Sequence, residues 1–422
     1  MQTPAVTEQP LCQIVPLAEF KLPATPAQEA ATKRLHAFWR LFHAEDVPAQ
    51  TPAKAEEDLR TLPEVQLAHL APPIEWRFAA EALDIRLGEW EQPGDAAEGL
   101  RFLIGPPHGG QGESLGAWAA ARDWTLIAPP TSEQILASDQ AWLTGIEEIV
   151  RPPGLLDWAS KQDGWVLPQL ERCFLRHGEG LTLVRRFLDL AVGGRLGRGV
   201  IGCDSWAWTF LQRIWTVPQP EVFTLQAFDG SSLAAYFRRF LHDPAGRRVC
   251  VRNARTGEDV LSYANPDAGS GVEVSSDLKR LASRCRGNLG IAWTYWRTGL
   301  RTEPDSTAPA DASTDGVDIK EASPSDEVTL WWEAERKEPA MSPETADNVA
   351  HVLHALLLHN GLSGDLLAEL LPGSRLALSA ILQRLKRLGL IECVDDTWRV
   401  AALGYEAARE FLRGRSYLID PL

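Results

Sequence analysis

The chain lacks any run of about 18 apolar residues, the length a helix needs to cross a bilayer. Cysteine is scarce: six residues, at positions 12, 173, 203, 250, 285 and 393. None forms a C-x-x-C pair, which excludes a zinc-ribbon spacing and argues against a disulfide framework. The opening MQTPAVTEQPLCQIVPLAEF has no basic region followed by an apolar block, so no secretory signal is expected and the expected location is cytoplasmic. A positive balance is also missing. A net charge of −15 speaks against a protein that coats nucleic acid, because neutralising phosphates takes clustered Lys and Arg. Much of that excess is local, since residues 303–327 carry eight acids against Lys320 alone.

What is present is a globular composition, 45% hydrophobic and 23% charged, over a length that suits about three domains. Sixteen tryptophans point mainly to the core, with some enrichment expected at interfaces. The Ala-, Leu- and Trp-rich usage suggests a GC-rich bacterial source.

Along the chain, residues 1–61 are Pro- and Ala-rich with one helical stretch at Glu29–His43 and read as an extension. Strand and helix patterns then alternate over 62–241. Short apolar strands are expected at Arg101–Ile104, Trp124–Ala128, Trp165–Leu167, Gly199–Cys203 and Val222–Leu225. Helices are expected between them at Ser114–Arg122, Glu171–Val192, Trp208–Trp215 and Ser232–Leu241. Such alternation predicts an α/β fold with a mostly parallel sheet covered on both faces. Residues 242–302 read as a polar hairpin insertion (Arg247–Tyr263) and a helical lid, and 303–327 have the composition of an acidic flexible linker. Over 328–422, three amphipathic helices (Asn348–Asn360, Gly364–Leu371, Ser374–Leu388) precede a hairpin turning at Asp395-Asp396 and a closing helix, Tyr405–Arg413. Helix, helix, longer helix and hairpin is the order of a winged helix.

A phosphate loop reads G-x-x-x-x-G-K-[ST]: its amides cradle phosphates, its Lys reaches the β- and γ-phosphates, and its hydroxyl holds Mg²⁺. Here FLIGPPHGGQGES follows a strand and keeps Gly105, Gly109, Gly110, Gly112 and Ser114, with Glu113 read at the Lys position of a loop about two residues longer than usual. In this order of parts the chain resembles AAA+ and STAND P-loop ATPases, over 62–302 and 341–415. The resemblance implies a P-loop-type sheet with a helical lid and a C-terminal winged-helix domain. It also implies ATP or ADP with Mg as the ligand.

The resemblance breaks at the motifs themselves. A unit charge pair at about 4 Å is worth roughly 4 kcal/mol at an effective dielectric near 20. Glu in place of Lys loses that attraction and adds repulsion, and even a quarter of the swing, about 2 kcal/mol, is about 30-fold in affinity. Where relatives end the third strand with Asp-Glu, this chain has Pro168 and Gln169, leaving Glu171 as the nearest candidate catalytic carboxylate. Asp204 or Ser205, after the fourth strand, stands where relatives place a sensor of the γ-phosphate. In the lid, Gly290 stands where an AAA+ sensor Arg would be, and Leu289 where STAND proteins favour Pro. Three departures in the right order favour a pseudo-ATPase, a regulatory or scaffold protein that docks to protein partners or to itself and senses nucleotide at most. A weak ATPase is one alternative. Another is a serine hydrolase, because Gly112-Glu113-Ser114-Leu115-Gly116 also spells the G-x-S-x-G nucleophile elbow. The nine residues between Ile104 and Ser114 spoil that geometry.

The third C-terminal helix carries Arg375, Arg384, Lys386 and Arg387, candidate contacts to DNA or a partner. Three of them lie at its C-terminal end, where cations also suit the helix dipole. Residues 341–422 hold ten acids and eight bases, so protein docking is preferred, with a DNA-associated regulator as the alternative. His351 and His354, three apart on one helix, have no third ligand spaced to join them in a metal site.

Overall fold

The computed structural model describes residues 11–24, 54, 58–88, 99–150, 164–215, 221–241, 248–261, 263–264, 272–304, 327–334, 339–342 and 346–422. The expected helix at 29–43 and nearly all of the acidic stretch 303–327 lie outside them.

Two units divide the chain: residues 1–21, 75–226 and 338–422 form one, residues 22–74 and 227–337 the other. This differs from the expected serial order in two ways. The C-terminal helices and hairpin share a unit with the parallel sheet, because side chains at 108, 171, 176, 205 and 206 bond directly to residues between 354 and 420. The helix Gly230–Arg238, expected in the sheet domain, belongs to the second unit.

The sheet of the first unit has six strands: β1 (Ile14–Pro16), β2 (Leu100–Gly105), β3 (Thr125–Leu126), β4 (Trp165–Leu167), β5 (Gly199–Asp204) and β6 (Glu221–Leu225). They lie in the order β1-β6-β2-β5-β4-β3, parallel except for the antiparallel edge strand β1. The five strands read from the sequence are those of the parallel part, each within two residues of its expected ends. Every residue of β4 and β5 is buried, as befits strands covered on both faces. Tryptophan does much of the covering. The indole of Trp208 packs 4.8 Å from the Phe102 ring, and Trp118 lies edge-on to Trp124 at the same separation. Gly199 faces the Trp165 ring so closely that a Cβ would collide with it, which is why a residue of low strand propensity opens β5.

The helix expected from Glu171 begins only at Thr182 and runs to Val192. A single 3-10 turn, Leu170–Arg172, leads into bends where Leu175 N–H donates to Gly180 O at 3.1 Å. Gly178 and Gly180 break the apolar period there, so the chain turns before helix propagation can start.

The C-terminal part of this unit has helices Asp347–Leu358, Gly364–Leu370 and Arg375–Arg387. Three short strands follow their own order: β7 (Leu362–Ser363), then the hairpin β8 (Ile391–Val394) and β9 (Thr397–Val400), with β9 in the middle. Asp395 and Asp396 have φ of +47° and +59°, the paired left-handed residues of a tight two-residue hairpin turn. Helix Tyr405–Gly414 ends the module.

The second unit packs helices Gly230–Arg238, Ser276–Arg284 and Leu289–Gly299 with a four-stranded sheet. In that sheet Glu327–Trp332 runs parallel to Arg248–Asn253, so the first residues assigned to the C-terminal domain pair instead with the expected hairpin region. Arg286 and Gly287 turn left-handed before Asn288 caps the last helix, and a Cβ at Gly287 would press on Ala227 and Phe228. An aromatic cluster fills the interior, with Phe237 and Trp296 stacked at 4.6 Å.

Candidate functional site

In an open parallel sheet, ligands gather outside the carboxyl ends of the strands, where the chain switches direction across the sheet. Here that place is the end of β2, flanked by β5 and β6, and β2 delivers the glycine loop to it. The loop enters its helix at Gln111 (Gln111–Ala121), straight after Gly110, whose φ is +74°. The helix therefore starts three residues earlier than its apolar pattern suggested, because the pattern reads side chains and the turn is set by the left-handed glycine. Gly110 also lies against the Trp76 indole, with no room for a Cβ. His108 reaches φ +64°, a region that costs a non-glycine residue roughly 1–2 kcal/mol.

Gln111 is buried, and its side chain folds back over the loop. A Cβ at Gly105 would come 2.8 Å from Gln111 Oε1, and one at Gly109 would come 3.3 Å from it. That oxygen has no hydrogen-bond partner. Gly112 faces Gln169, whose Cγ would lie 3.4 Å from an added Cβ. Glu113 is exposed on the helix surface. Ser114 is 3% exposed and its hydroxyl donates to Gly110 O at 2.6 Å, within its own helix. A nucleophile elbow sets its serine between strand and helix, and this serine lies inside the first helical turn instead.

Across from the loop, β4 runs out into Pro168-Gln169 and β5 ends at Asp204. Glu171 is 1% exposed and accepts the Asp204 N–H at 3.0 Å and a side-chain bond from Asn360. Burial pushes its carboxyl up to about 7. Asp204 is fully buried; its Oδ1 caps the helix Ser205–Ile214 by accepting Trp206 N–H at 2.9 Å, and its Oδ2 has no partner. Burial first, then the neighbouring Glu171 charge, raises its carboxyl well above the usual range. Ser205, 1% exposed, donates to Asp420 Oδ2 at 2.7 Å.

The same edge is covered by the C-terminal module. His108 Nε2 meets Val400 O on β9 at 3.0 Å. His359 Nε2 accepts the Arg176 N–H at 3.3 Å, and His354 Nδ1 lies 3.2 Å from the Arg176 guanidinium. Desolvation holds all three imidazoles down at about 4, so they are neutral where they pack. Trp206 Nε1 donates to Tyr405 OH at 3.1 Å.

Mg²⁺ finds a poor donor set in these residues. Ser114 spends its hydroxyl on Gly110 O and Gln169 offers only an amide, while both acids are sealed from water and already engaged or favoured in the neutral form. Among the described residues, no group of three or more His, Cys, Asp or Glu is placed to hold a metal ion, and His354 faces Arg176. No helix of the described residues is long and apolar enough to cross a membrane. The basic residues of helix Arg375–Arg387 lie on its exposed side: Arg375 pairs with Asp365 at 2.8 Å and Lys386 stands 5.8 Å over the Trp398 ring.

The sequence supplied Gly105, Gly109, Gly110, Gly112, Gln169, Glu171, Asp204 and Ser205, and the structure brings these to one end of the sheet. It did not supply Trp76, Gln111, Asn360, Tyr405, Arg409 or Asp420. Gln111 was visible as the first polar residue after Gly110. The others lie far away in sequence and carry no motif.

No protein-family model matches the chain, and no curated protein matches it. Among solved structures, the Walker-type ATPase paby2304 of Pyrococcus abyssi is similar at 12% identity and a TM-score of 0.30, over 86% of this chain and 99% of that one. PCH-2 of C. elegans is similar at 12% identity and a TM-score of 0.26, over 60% and 73%. These superpositions are too loose to carry residue roles, so the assignment rests on the chain's own geometry: an α/β protein with a largely parallel sheet and a glycine loop at the end of its central strand.

Proposed function

We propose that this chain is a non-hydrolysing P-loop protein of AAA+ or STAND type, a regulatory or scaffold protein that acts through protein partners. Gln111 carries the reading. It is the first helical residue after the loop's last glycine, where an active loop has its lysine, so the loop has ordinary length and its cradle holds a neutral amide. Counted this way, Gly112 takes the hydroxyl position and Glu113 is a surface residue of the helix. The shape of a phosphate loop is kept by Gly110 and Trp76, while the charge that would grip a triphosphate is gone. Glu171 and Asp204, the acids nearest the expected water-activating and sensing positions, are buried and bonded under the module, whose helices and hairpin we read as a winged helix.

Binding without turnover fits this geometry. A carboxamide presents either an oxygen or an NH₂ group, so Gln111 can turn a donor toward a phosphate held by the loop amides and the helix N-terminus. Thermal unfolding with Mg-ATP, Mg-ADP and the metal-free nucleotides tests this. Ligand at about 100 times its dissociation constant stabilises by roughly 2.7 kcal/mol. A saturating shift that is independent of Mg²⁺ and free of phosphate release is the expected outcome, and steady turnover contradicts it.

A second reading is a DNA-associated regulator. It is favoured by the exposed helix Arg375–Arg387, in a stretch 374–390 that holds four cations and no acid. Sub-micromolar duplex binding at about 150 mM salt, lost on Arg384→Glu and Arg387→Glu, would establish it.

A further inference from the structure

Asp420 lies in the segment after the last helix and is 1% exposed. Its side chain collects donors from two distant stretches of chain. Ser205 Oγ donates to Oδ2 at 2.7 Å, Tyr405 OH to the same oxygen at 3.2 Å, and Arg409 Nε to Oδ1 at 3.0 Å. Arg409 Nη2 also donates to the Asp420 carbonyl at 3.1 Å, so one guanidinium holds side chain and main chain together. Tyr405 and Arg409 are four apart on one helical face. The tyrosine oxygen already accepts Trp206 Nε1, which commits its own proton to Asp420. Ser205, Tyr405 and Arg409 are each less than 5% exposed. These are the components of an oxyanion site: a buried cation, two hydroxyl donors and no solvent.

We propose that Ser205, Tyr405 and Arg409 form an oxyanion-binding site that the chain fills with its own Asp420, and that this occupancy latches the C-terminal module over Glu171 and Asp204. Ser205 and Trp206 begin the helix that Asp204 caps, whereas Tyr405 and Arg409 belong to the module, so Asp420 is the knot between them. The segment is pinned on both sides of the knot. The Tyr417 ring lies 5.1 Å from His354, and Leu422 is buried. The ligand class is a carboxylate or phosphate oxyanion, and its regulatory meaning rests on reading the ends of β4 and β5 as part of a nucleotide site.

Asp420→Ala keeps the Cβ and removes a carboxylate, so the missing piece is formate. The experiment measures hydrogen exchange and Tm of the full chain, for the wild type and for Asp420→Ala, in about 50 mM sodium formate or in sodium chloride of equal ionic strength. The latch predicts that Asp420→Ala lowers Tm by about 10 °C. Exchange should then rise together in 205–214, 405–414 and 170–172, and formate should recover at least half of both effects. Asp420→Asn, which fills the site with an amide, should lose the protection and gain nothing from formate. Opening confined to 417–422, or formate no better than chloride, overturns the proposal. Should Asp420→Ala fail to fold, Ser205→Ala gives the same reading, with joint opening of 405–414 expected and its absence decisive. Mg-ATP added to opened Asp420→Ala tests the nucleotide reading separately, because failure there leaves the formate result standing.

Discussion

The two halves of the candidate site differ in what each one offers a ligand. The loop half, Gly105–Gly112, keeps its backbone: a left-handed Gly110 seated on Trp76 and a helix starting at once after it. It has no cation at the position that would meet a phosphate. The acid half, at the ends of β4 and β5, keeps its carboxylates, Glu171 and Asp204, but both are desolvated beneath the module. One half has shape without charge and the other has carboxyl groups without access. On the function proposed above, a P-loop site is silenced in one half by a single side chain and in the other by closure, and sequence reports only the first directly.

The strongest way to break the sealed half is to remove its cation. Arg409→Ala leaves the buried Asp420 carboxyl with its two hydroxyl donors but no cation, and losing one partner of such a pair costs about 3–5 kcal/mol. Denaturant unfolding should show this as a lower midpoint; a change under about 1 kcal/mol would mean that the pair is dispensable.

The next effect sharpens the comparison through pH. Glu171 rises from 4.5 to about 7 on folding, so the protonated form is favoured in the native state. Its contribution is full below pH 4.5 and is lost as pH rises through 7. His108, His354 and His359 fall from 6.5 to about 4, so theirs is present above pH 6.5 and is lost as pH falls through 4. Three imidazoles outweigh one carboxyl between pH 4.5 and 6.5, so the stability these four groups confer should rise with pH there. Glu171→Gln should steepen that rise, a difference of about 2–3 kcal/mol by pH 7 read from urea midpoints. An unchanged slope would show that Glu171 is not the buried group responsible.

The loop half is broken by Gly110→Ala. This change meets both the left-handed φ and the Trp76 ring, and a loss of about 2 kcal/mol is expected. Trp76→Gly in the same chain should relieve the collision but leave the backbone term, giving a coupling of about 1 kcal/mol in a double-mutant cycle. Strict additivity would separate Trp76 from the loop. The smallest effect belongs to the exposed helix: Arg384→Glu should change stability by less than about 0.5 kcal/mol, because the residue is exposed.

Much of this was legible in the sequence, and the reason differs by element. The five parallel strands declare themselves as apolar runs, and the C-terminal helices by their amphipathic period; the caps at Ser363 and Ser374 came only with the structure. Asp395-Asp396 marked its hairpin because a two-residue turn needs left-handed residues. The loop was legible as glycines but not in register. Glu113-Ser114 imitates a Lys-Ser pair, and only the φ of Gly110 fixes the helix start. The acid half was legible as residue types alone. Nothing local says that Asn360 bonds Glu171, or that Asp420 crosses 215 positions to Ser205, since such bonds carry no period and no spacing.

The measurement that bears most directly on the central claim is phosphate release together with nucleotide binding, for the wild type and Gln111→Lys, at saturating Mg-ATP. Absence of steady release from either, with affinity about 10–30-fold tighter in Gln111→Lys, is the predicted result: the loop regains its grip while the sealed acids still prevent turnover. Steady release by the wild type that disappears in Glu171→Gln would contradict it, for then Glu171 works as a base despite its burial and the site is a live ATPase.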